Sequence, residues 1–384
     1  MRDVILANAR YWLKVLHESQ NSRPLPEPDL RGAAKAIEAA LQVPDLWDVT
    51  RSLAQALHPY MEQRGYWAEW GNFLQILIVR ARQKNDEQTE AELLLRQAAI
   101  LRQRGDYSGA VLACRRAWRY YRRSKNRSGQ AGAFSYLGDL YRLRGQFWRA
   151  LVLCRAALAV FESEACIVEL ASAENRLGLI YFDQGRYPEA IPYLERAEAL
   201  DRQAGDWHSL AKALHNLGEL HRRSGDLDKA LICLEKATRY YLDVGDEIHA
   251  ARACLNIGNV YLRQADLRRA ETTYTRAEIV LRRSGDSLDL AGARHNLGIV
   301  YTRLGDWEEA AACFARALEQ WRARGEPWRE ANTLGEMSVL YVGRGDQPGA
   351  RACLDKAWQL VKGRSEPHFV RLQRELTERR KGLG

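Results

Sequence analysis

The sequence predicts an all-α fold of stacked antiparallel helix pairs, and three periodic series carry that prediction. Glycine falls at Gly65, Gly105, Gly145, Gly185, Gly225, Gly305 and Gly345, a spacing of 40 that only Ala265 interrupts. Alanine follows at Ala110, Ala150, Ala190, Ala230, Ala270, Ala310 and Ala350, with Trp70 the exception, and again at Ala117, Ala157, Ala197, Ala237, Ala277, Ala317 and Ala357. A second break recurs midway between the glycines, at Gly205-Asp206, Gly245-Asp246, Gly285-Asp286 and Gly325-Glu326. Each period therefore holds two helices of roughly 15 to 17 residues, about 24 Å long at the α-helical rise. Helices of that length are marginal alone in water, so they must be stabilised by stacking on neighbours, which makes the array quasi-one-dimensional.

Residues 1–44 lack the period. They predict two helices, Arg2 to Glu18 and Leu30 to Leu41, divided by the proline-rich NSRPLPEPD, because proline lacks the amide proton that a helix interior uses. This segment is expected to be a helical cap or a degenerate repeat. Eight forty-residue units follow over residues 45–364. In each strong unit the first helix carries Leu-Gly and an aromatic residue three positions after the glycine, as in Leu137, Gly138 and Tyr141 or Leu297, Gly298 and Tyr301. These share one face, and glycine there lets the second helix come close. The glycine of the Gly-Asp turn takes the left-handed conformation that ends a helix, and the residue after it caps the next one. The two alanines, two turns apart on the second helix, permit a short interaxial distance. Residues 365–384 predict a basic capping helix from Pro367 to Lys381.

Composition narrows the function classes. The 384 residues carry a net charge of +9, largely on arginine, which suits nucleic acid, an anionic surface or an acidic protein as partner. Seven cysteines are scattered without a CxxC pair, so neither a disulfide framework nor a zinc site is expected and a reducing, cytoplasmic setting fits. The N-terminal stretch carries Asp3 and Glu18 and lacks the unbroken apolar core of a signal peptide. Phe73 to Val79, the longest mainly apolar run, is too short to span a bilayer. No GxxxxGK[ST], HExxH or GxSxG motif occurs, so the expectation is no enzyme, no cofactor and no metal site.

The pattern Leu-Gly, Tyr, Gly-Asp, Ala, Ala, as in NLGIVYTRLGDWEEAAACFARAL (Asn296 to Leu318), resembles the tetratricopeptide repeat in its longer, forty-residue form. It is similar to the repeats of cell-polarity adaptors, kinesin light chains and the sensor regions of bacterial signal-transduction NTPases. The resemblance covers most of the chain and implies a right-handed superhelical solenoid that binds a partner protein. Such arrays line a concave groove with the first-helix face left over after packing. Here that face holds Lys212, Asn216, Glu219 and Arg223 in one unit, Arg252, Asn256, Asn259 and Arg263 in the next, and Gly292, Asn296, Ile299 and Arg303 in the third. Asparagine pairs with the backbone of an extended peptide or, equally, bonds to the preceding repeat; the arginine fork suits a carboxylate. The carboxylate clamp known in the family needs a basic residue and an asparagine where this chain has His215 and Glu219, or Leu255 and Asn259, so that clamp is absent.

Two further readings stay open. A basic series on the second helices, Arg116, Arg196, Lys236, Arg276, Arg316 and Lys356, is reinforced by Arg115, Arg119, Arg122 and Arg123 among Trp118, Tyr120 and Tyr121. Such a ridge suits nucleic acid, with the rings for stacking. The other reading is a regulator that senses a peptide or small ligand. The expected main partner is an acidic, extended or helical segment of another protein; no membrane partner is expected, and oligomeric state is open.

Overall fold

The computed structural model describes residues 1–19, 25–63, 66–284 and 287–382. Gly65, Gly285-Asp286 and the first half of the proline-rich linker, for which turns were expected, lie outside the described residues. Those described form helices and no strand. The chain opens with α1 (Arg2–Ser19), α2 (Glu27–Leu41) and a 3-10 turn at Pro44–Leu46. First and second helices then alternate: α3 (Trp47–Gln63), α4 (Trp67–Gln83), α5 (Glu87–Gln103), α6 (Tyr107–Arg123), α7 (Arg127–Leu143), α8 (Phe147–Ser163), α9 (Ile167–Asp183), α10 (Tyr187–Ala204), α11 (Trp207–Ser224), α12 (Leu227–Asp243), α13 (Glu247–Arg263), α14 (Leu267–Ser284), α15 (Ser287–Leu304), α16 (Trp307–Arg324), α17 (Pro327–Gly343) and α18 (Gln347–Val361). The last helix is α19 (Pro367–Lys381).

The chain divides into two compact units, Met1–Ser224 with Arg239–Asp246, and Gly225–Thr238 with Glu247–Gly384. In the first, Leu16 of α1, Ile37 of α2 and Leu57 of α3 enter a core that continues through α7. The Tyr60 hydroxyl donates to the Leu16 carbonyl at 3.0 Å and Arg80 to the Leu41 carbonyl at 2.9 Å, so the aperiodic N-terminal helices are tied to the first repeat. α2 starts three residues earlier than its sequence predicts. Pro28 lies in its first turn, where no intrahelical bond needs the missing N–H.

The periodic glycines and alanines do what their size dictates. A Cβ on Gly138, Gly178, Gly258 or Gly298 would lie 2.3, 2.6, 2.5 or 2.5 Å from Cys154, Leu194, Tyr274 or Phe314. Ala110, Ala150, Ala190, Ala270 and Ala310 are fully buried. Asp106 and Asp346 cap the following helices by accepting from Gly109 and Gly349 at 2.9 and 2.8 Å. The left-handed turn does not require glycine, however: Asn85, Lys125, Ala165 and Ala265 adopt it with φ of 55, 57, 53 and 59°.

At the C-terminus of the second unit, Phe369, Leu372 and Leu376 of α19 share a core with Leu334 and Leu354. Trp328 donates to the His368 carbonyl at 3.1 Å, and Arg379 pairs with Glu336 at 2.7 Å. The remaining face of α19 presents Arg371, Arg374, Glu375, Glu378 and Lys381.

Candidate functional site

In the first unit the predicted groove positions stand on α11. The Asn216 amide donates to Asn175 Oδ1 of α9 at 2.8 Å. Glu219 accepts from Arg222 at 2.7 Å and from Arg223 at 2.8 Å, and Arg223 also lies 5.0 Å over the Phe182 ring. Burial works against ionised Glu219, but the two arginines outweigh it and hold its carboxyl below the usual range. Lys212 is exposed on the same helix.

The same face of the earlier repeats carries a charge lattice that the sequence reading missed. Asp139 of α7 accepts from Arg102 of α5 at 3.3 Å and from Arg142 at 2.9 Å, and Arg142 reaches on to Asp183 of α9. Burial would raise the Asp139 carboxyl, yet Arg142, Arg102 and Arg176 hold it at about 2. Arg176 stacks 4.7 Å over Tyr136 and donates to the Ser135 hydroxyl. The signal was available in the register: Asp139 stands 80 residues before Glu219, and Arg142 the same distance before Arg222.

In the second unit the positions stand on α13 and α15. Asn296 donates to Asn259 Oδ1 at 3.1 Å, Asn259 donates to Asn256 Oδ1 at 3.4 Å, and the Tyr274 hydroxyl donates to Asn259 Oδ1 at 2.7 Å. Arg252 pairs with Asp289 at 2.5 Å, and Arg303 donates to the Leu262 carbonyl at 3.3 Å. Asn256 is half-buried and Arg263 exposed. Asn216 and Asn296 thus bond to the preceding repeat, whereas the Asn259–Asn256 bond lies within α13. One amide N–H of each is so engaged, and among the described residues no donor reaches Asn216 Oδ1 or Asn296 Oδ1.

The basic ridge differs from its expectation in two respects. Partners are absent at i±4, but Arg116 pairs with Glu90 of α5 at 2.7 Å, and Arg196 with Glu162 at 2.7 Å and Glu174 at 3.0 Å. Arg123 meets Glu87 at 3.1 Å, Arg115 donates to the Tyr141 hydroxyl at 3.2 Å, and Arg122 stacks 5.3 Å over Trp118. Tyr121, expected as a stacking platform, belongs to the core. Arg119 is exposed.

Burial acts on cysteine and histidine side chains elsewhere. It pushes the Cys114 and Cys154 thiols up to about 12. Burial likewise lowers His295 to about 4, where its ring meets Thr333 at 2.9 Å.

Tetratricopeptide-repeat family models match residues 169–243 and 289–362, and a second such model matches residues 253–286. The chain is a tetratricopeptide-repeat protein. No curated protein matches this tetratricopeptide protein in sequence. Its fold is similar to that of a Rap protein complexed with competence and sporulation factor, at a TM-score of 0.61 and 13% identity over 99% of this chain and 100% of that one. It also resembles aspartyl phosphate phosphatase F from Bacillus subtilis, at a TM-score of 0.57 and 12% identity over 93% and 94%. A signal-transduction ATPase with a tetratricopeptide-repeat sensor from Pyrococcus horikoshii gives a TM-score of 0.66 and 12% identity over 92% of this chain; the chain spans 55% of that protein. At such identities the likeness is one of fold. Among the described residues no helix of the tetratricopeptide protein is long and apolar enough to cross a membrane.

Proposed function

We propose that this tetratricopeptide protein is a non-enzymatic scaffold whose first-helix faces hold an extended or helical, acidic segment of a partner protein. The observation that carries the reading is the asparagine series. With one amide N–H of each committed to the preceding repeat, Asn216 in the first unit and Asn296 in the second offer carbonyl oxygens, which suit the backbone N–H groups of a ligand. Lys212 and Arg223 beside the former, and Arg303 beside the latter, supply cations for acidic side chains; Arg252, Asn256, Asn259 and Arg263 extend the set in the second unit. The Rap protein bound to competence and sporulation factor supports a sensing form of the same reading, in which the captured segment acts as a signal. The protein is taken to work in a reducing cytoplasm, with residues 1–44 and 365–384 capping repeats that fill 45–364.

Affinity capture from the native host, repeated after nuclease treatment, tests this. Reversing the charge of Arg223, Arg263 and Arg303 is expected to abolish capture of a protein partner and leave nucleic-acid retention unchanged. Capture that survives reversal of Arg223, Arg263 and Arg303 but is lost on nuclease treatment and on reversing Arg115, Arg116, Arg119, Arg122 and Arg123 overturns it in favour of nucleic acid.

A further inference from the structure

From α6 to α18, every second helix but one carries arginine or lysine directly before its second alanine: Arg116, Arg196, Lys236, Arg276, Arg316 and Lys356. α8 has Ala156. The substitution is part of a longer departure. Trp148, Val152, Ala156 and Ala159 stand at i, i+4, i+8 and i+11 on α8, and all four are exposed. Trp148 is 67% exposed and Val152 58%. On the opposite side Ala150, Cys154, Ala157 and Phe161 are buried in the repeat core. The outward side of α8 carries Arg149, Glu162 and Arg155, which turns aside to the Tyr181 hydroxyl at 2.7 Å, beside an apolar stripe about 16 Å long at 1.5 Å per residue. Leu112 of α6, in the register of Val152, is 67% exposed, and the equivalent places on α10 hold exposed Pro188 and Pro192. The uncharged surface therefore widens across three helices of the first unit.

Its α6 margin is basic, with Arg116 and Arg123 paired to Glu90 and Glu87, whereas α10 carries Glu189, Glu195 and Glu198. α6 contains Arg115, Arg116, Arg119, Arg122 and Arg123 and no acidic residue; α8 adds Arg149 and Arg155, and its single acid, Glu162, pairs with Arg196. Arg149 lies 5.5 Å over the Trp148 ring and 5.9 Å over Tyr141, whose hydroxyl takes Arg115 at 3.2 Å. These contacts join the apolar stripe to its basic margin.

We propose that the outer face of α8 docks an amphipathic helix of a partner protein. The helix would lay its apolar ridge along Trp148, Val152, Ala156 and Ala159 and turn an acidic edge toward the α6 arginines. Small Ala156 and Ala159 permit close helix approach, and an exposed tryptophan is a characteristic binding anchor. A two-fold contact between copies with its axis across α8 would set one arginine margin against the other, which disfavours that dimer. Nucleic acid fits poorly too, because the ridge loses its cation at Ala156 and gains apolar surface that phosphates do not use.

The probe is a fluorescein-labelled synthetic helix of about 18 residues, five turns, with a leucine stripe and glutamate edges, compared with a version carrying lysine edges. Both are titrated by anisotropy into the full chain. The glutamate form is expected to bind at least about tenfold more tightly than the lysine form. Trp148→Ser, and separately Ala156→Arg, which installs the residue the other units carry, should each weaken it at least about tenfold. Arg223→Glu and Arg303→Glu should leave it unchanged, which separates failure here from failure of the groove. Equal binding of the two peptides, no binding, or indifference to both α8 substitutions overturns the proposal. So does sedimentation as a dimer that Ala156→Arg converts to a monomer, or displacement of the peptide by a short single-stranded oligonucleotide.

Discussion

Asp201 stands where the other second helices from α6 to α18 hold Tyr121, Phe161, Tyr241, Leu281, Trp321 and Val361, and it is buried. Burial first, then Asp206 and Glu198 against the opposing Lys212, push its carboxyl up to about 7 from 3.8. The folded value lies above the unfolded one, so Asp201's stability contribution is complete below 3.8 and is lost as pH rises through about 7. Asp201→Leu is therefore expected to stabilise the protein by about 2 kcal/mol at pH 8 and by clearly less at pH 5, read from urea unfolding at the two values. Equal gains at both would contradict the assignment. Asn259 makes the opposite case, a polar group fully used. Asn259→Ala removes the acceptor of the buried Tyr274 hydroxyl and should cost about 1–3 kcal/mol, whereas Asn259→Asp keeps the oxygen and should cost less. That asparagines recur in step was legible in the sequence. Which amide atom faces which helix was not, because register fixes the neighbour and not the rotamer, and the lattice around Asp139 shows in the register only at every second repeat, Leu179 and Phe182 standing between Asp139/Arg142 and Glu219/Arg222.

Helix ends were legible wherever glycine marked them, and illegible where packing imposes the same backbone on another residue. The second-break series read from Gly205 onward continues backward as Ala165, Lys125 and Asn85, each left-handed and none distinctive in sequence. Ala265 is the same case in the glycine series. A left-handed L-residue is strained by roughly 1–2 kcal/mol, while glycine adds about 0.4–1 kcal/mol of unfolded-state freedom. Ala265→Gly is thus expected to raise stability modestly, by up to about 1 kcal/mol, as a shift of the chemical-denaturation midpoint. Within the helices the glycine requirement is steric instead. Gly258 is at ordinary helical φ, but its added Cβ would sit 2.5 Å from the Tyr274 ring, so Gly258→Ala should destabilise by about 1–3 kcal/mol through overpacking. Two substitutions with opposite chemical sense, one adding glycine and one removing it, are predicted from one period.

The forty-residue period carries past the eighth repeat into α19. Glu366-Pro367 repeats Glu326-Pro327 at a distance of 40, so α19, which the sequence predicts as a basic capping helix, occupies the place of a ninth first helix. Its apolar residues Phe369, Leu372 and Leu376 cover Leu334 and Leu354, and Arg379 reaches the Gly335 carbonyl and Glu336. Glu336 sits in the register of Asn216, Asn256 and Asn296, the place where earlier repeats bond to their neighbours. In a quasi-one-dimensional array, stability is the sum of each repeat and its nearest interfaces, so loss of an end is felt locally. Removing residues 365–384 is accordingly expected to expose the α17 and α18 core and to lower amide hydrogen-exchange protection there by at least about tenfold, while α5 to α9 keep theirs. Arg379→Ala, which spares the apolar contacts, should reproduce a smaller part of the loss, concentrated around Gly335. Unchanged protection in α17 after truncation would mean that α19 lies on the stack without stabilising it.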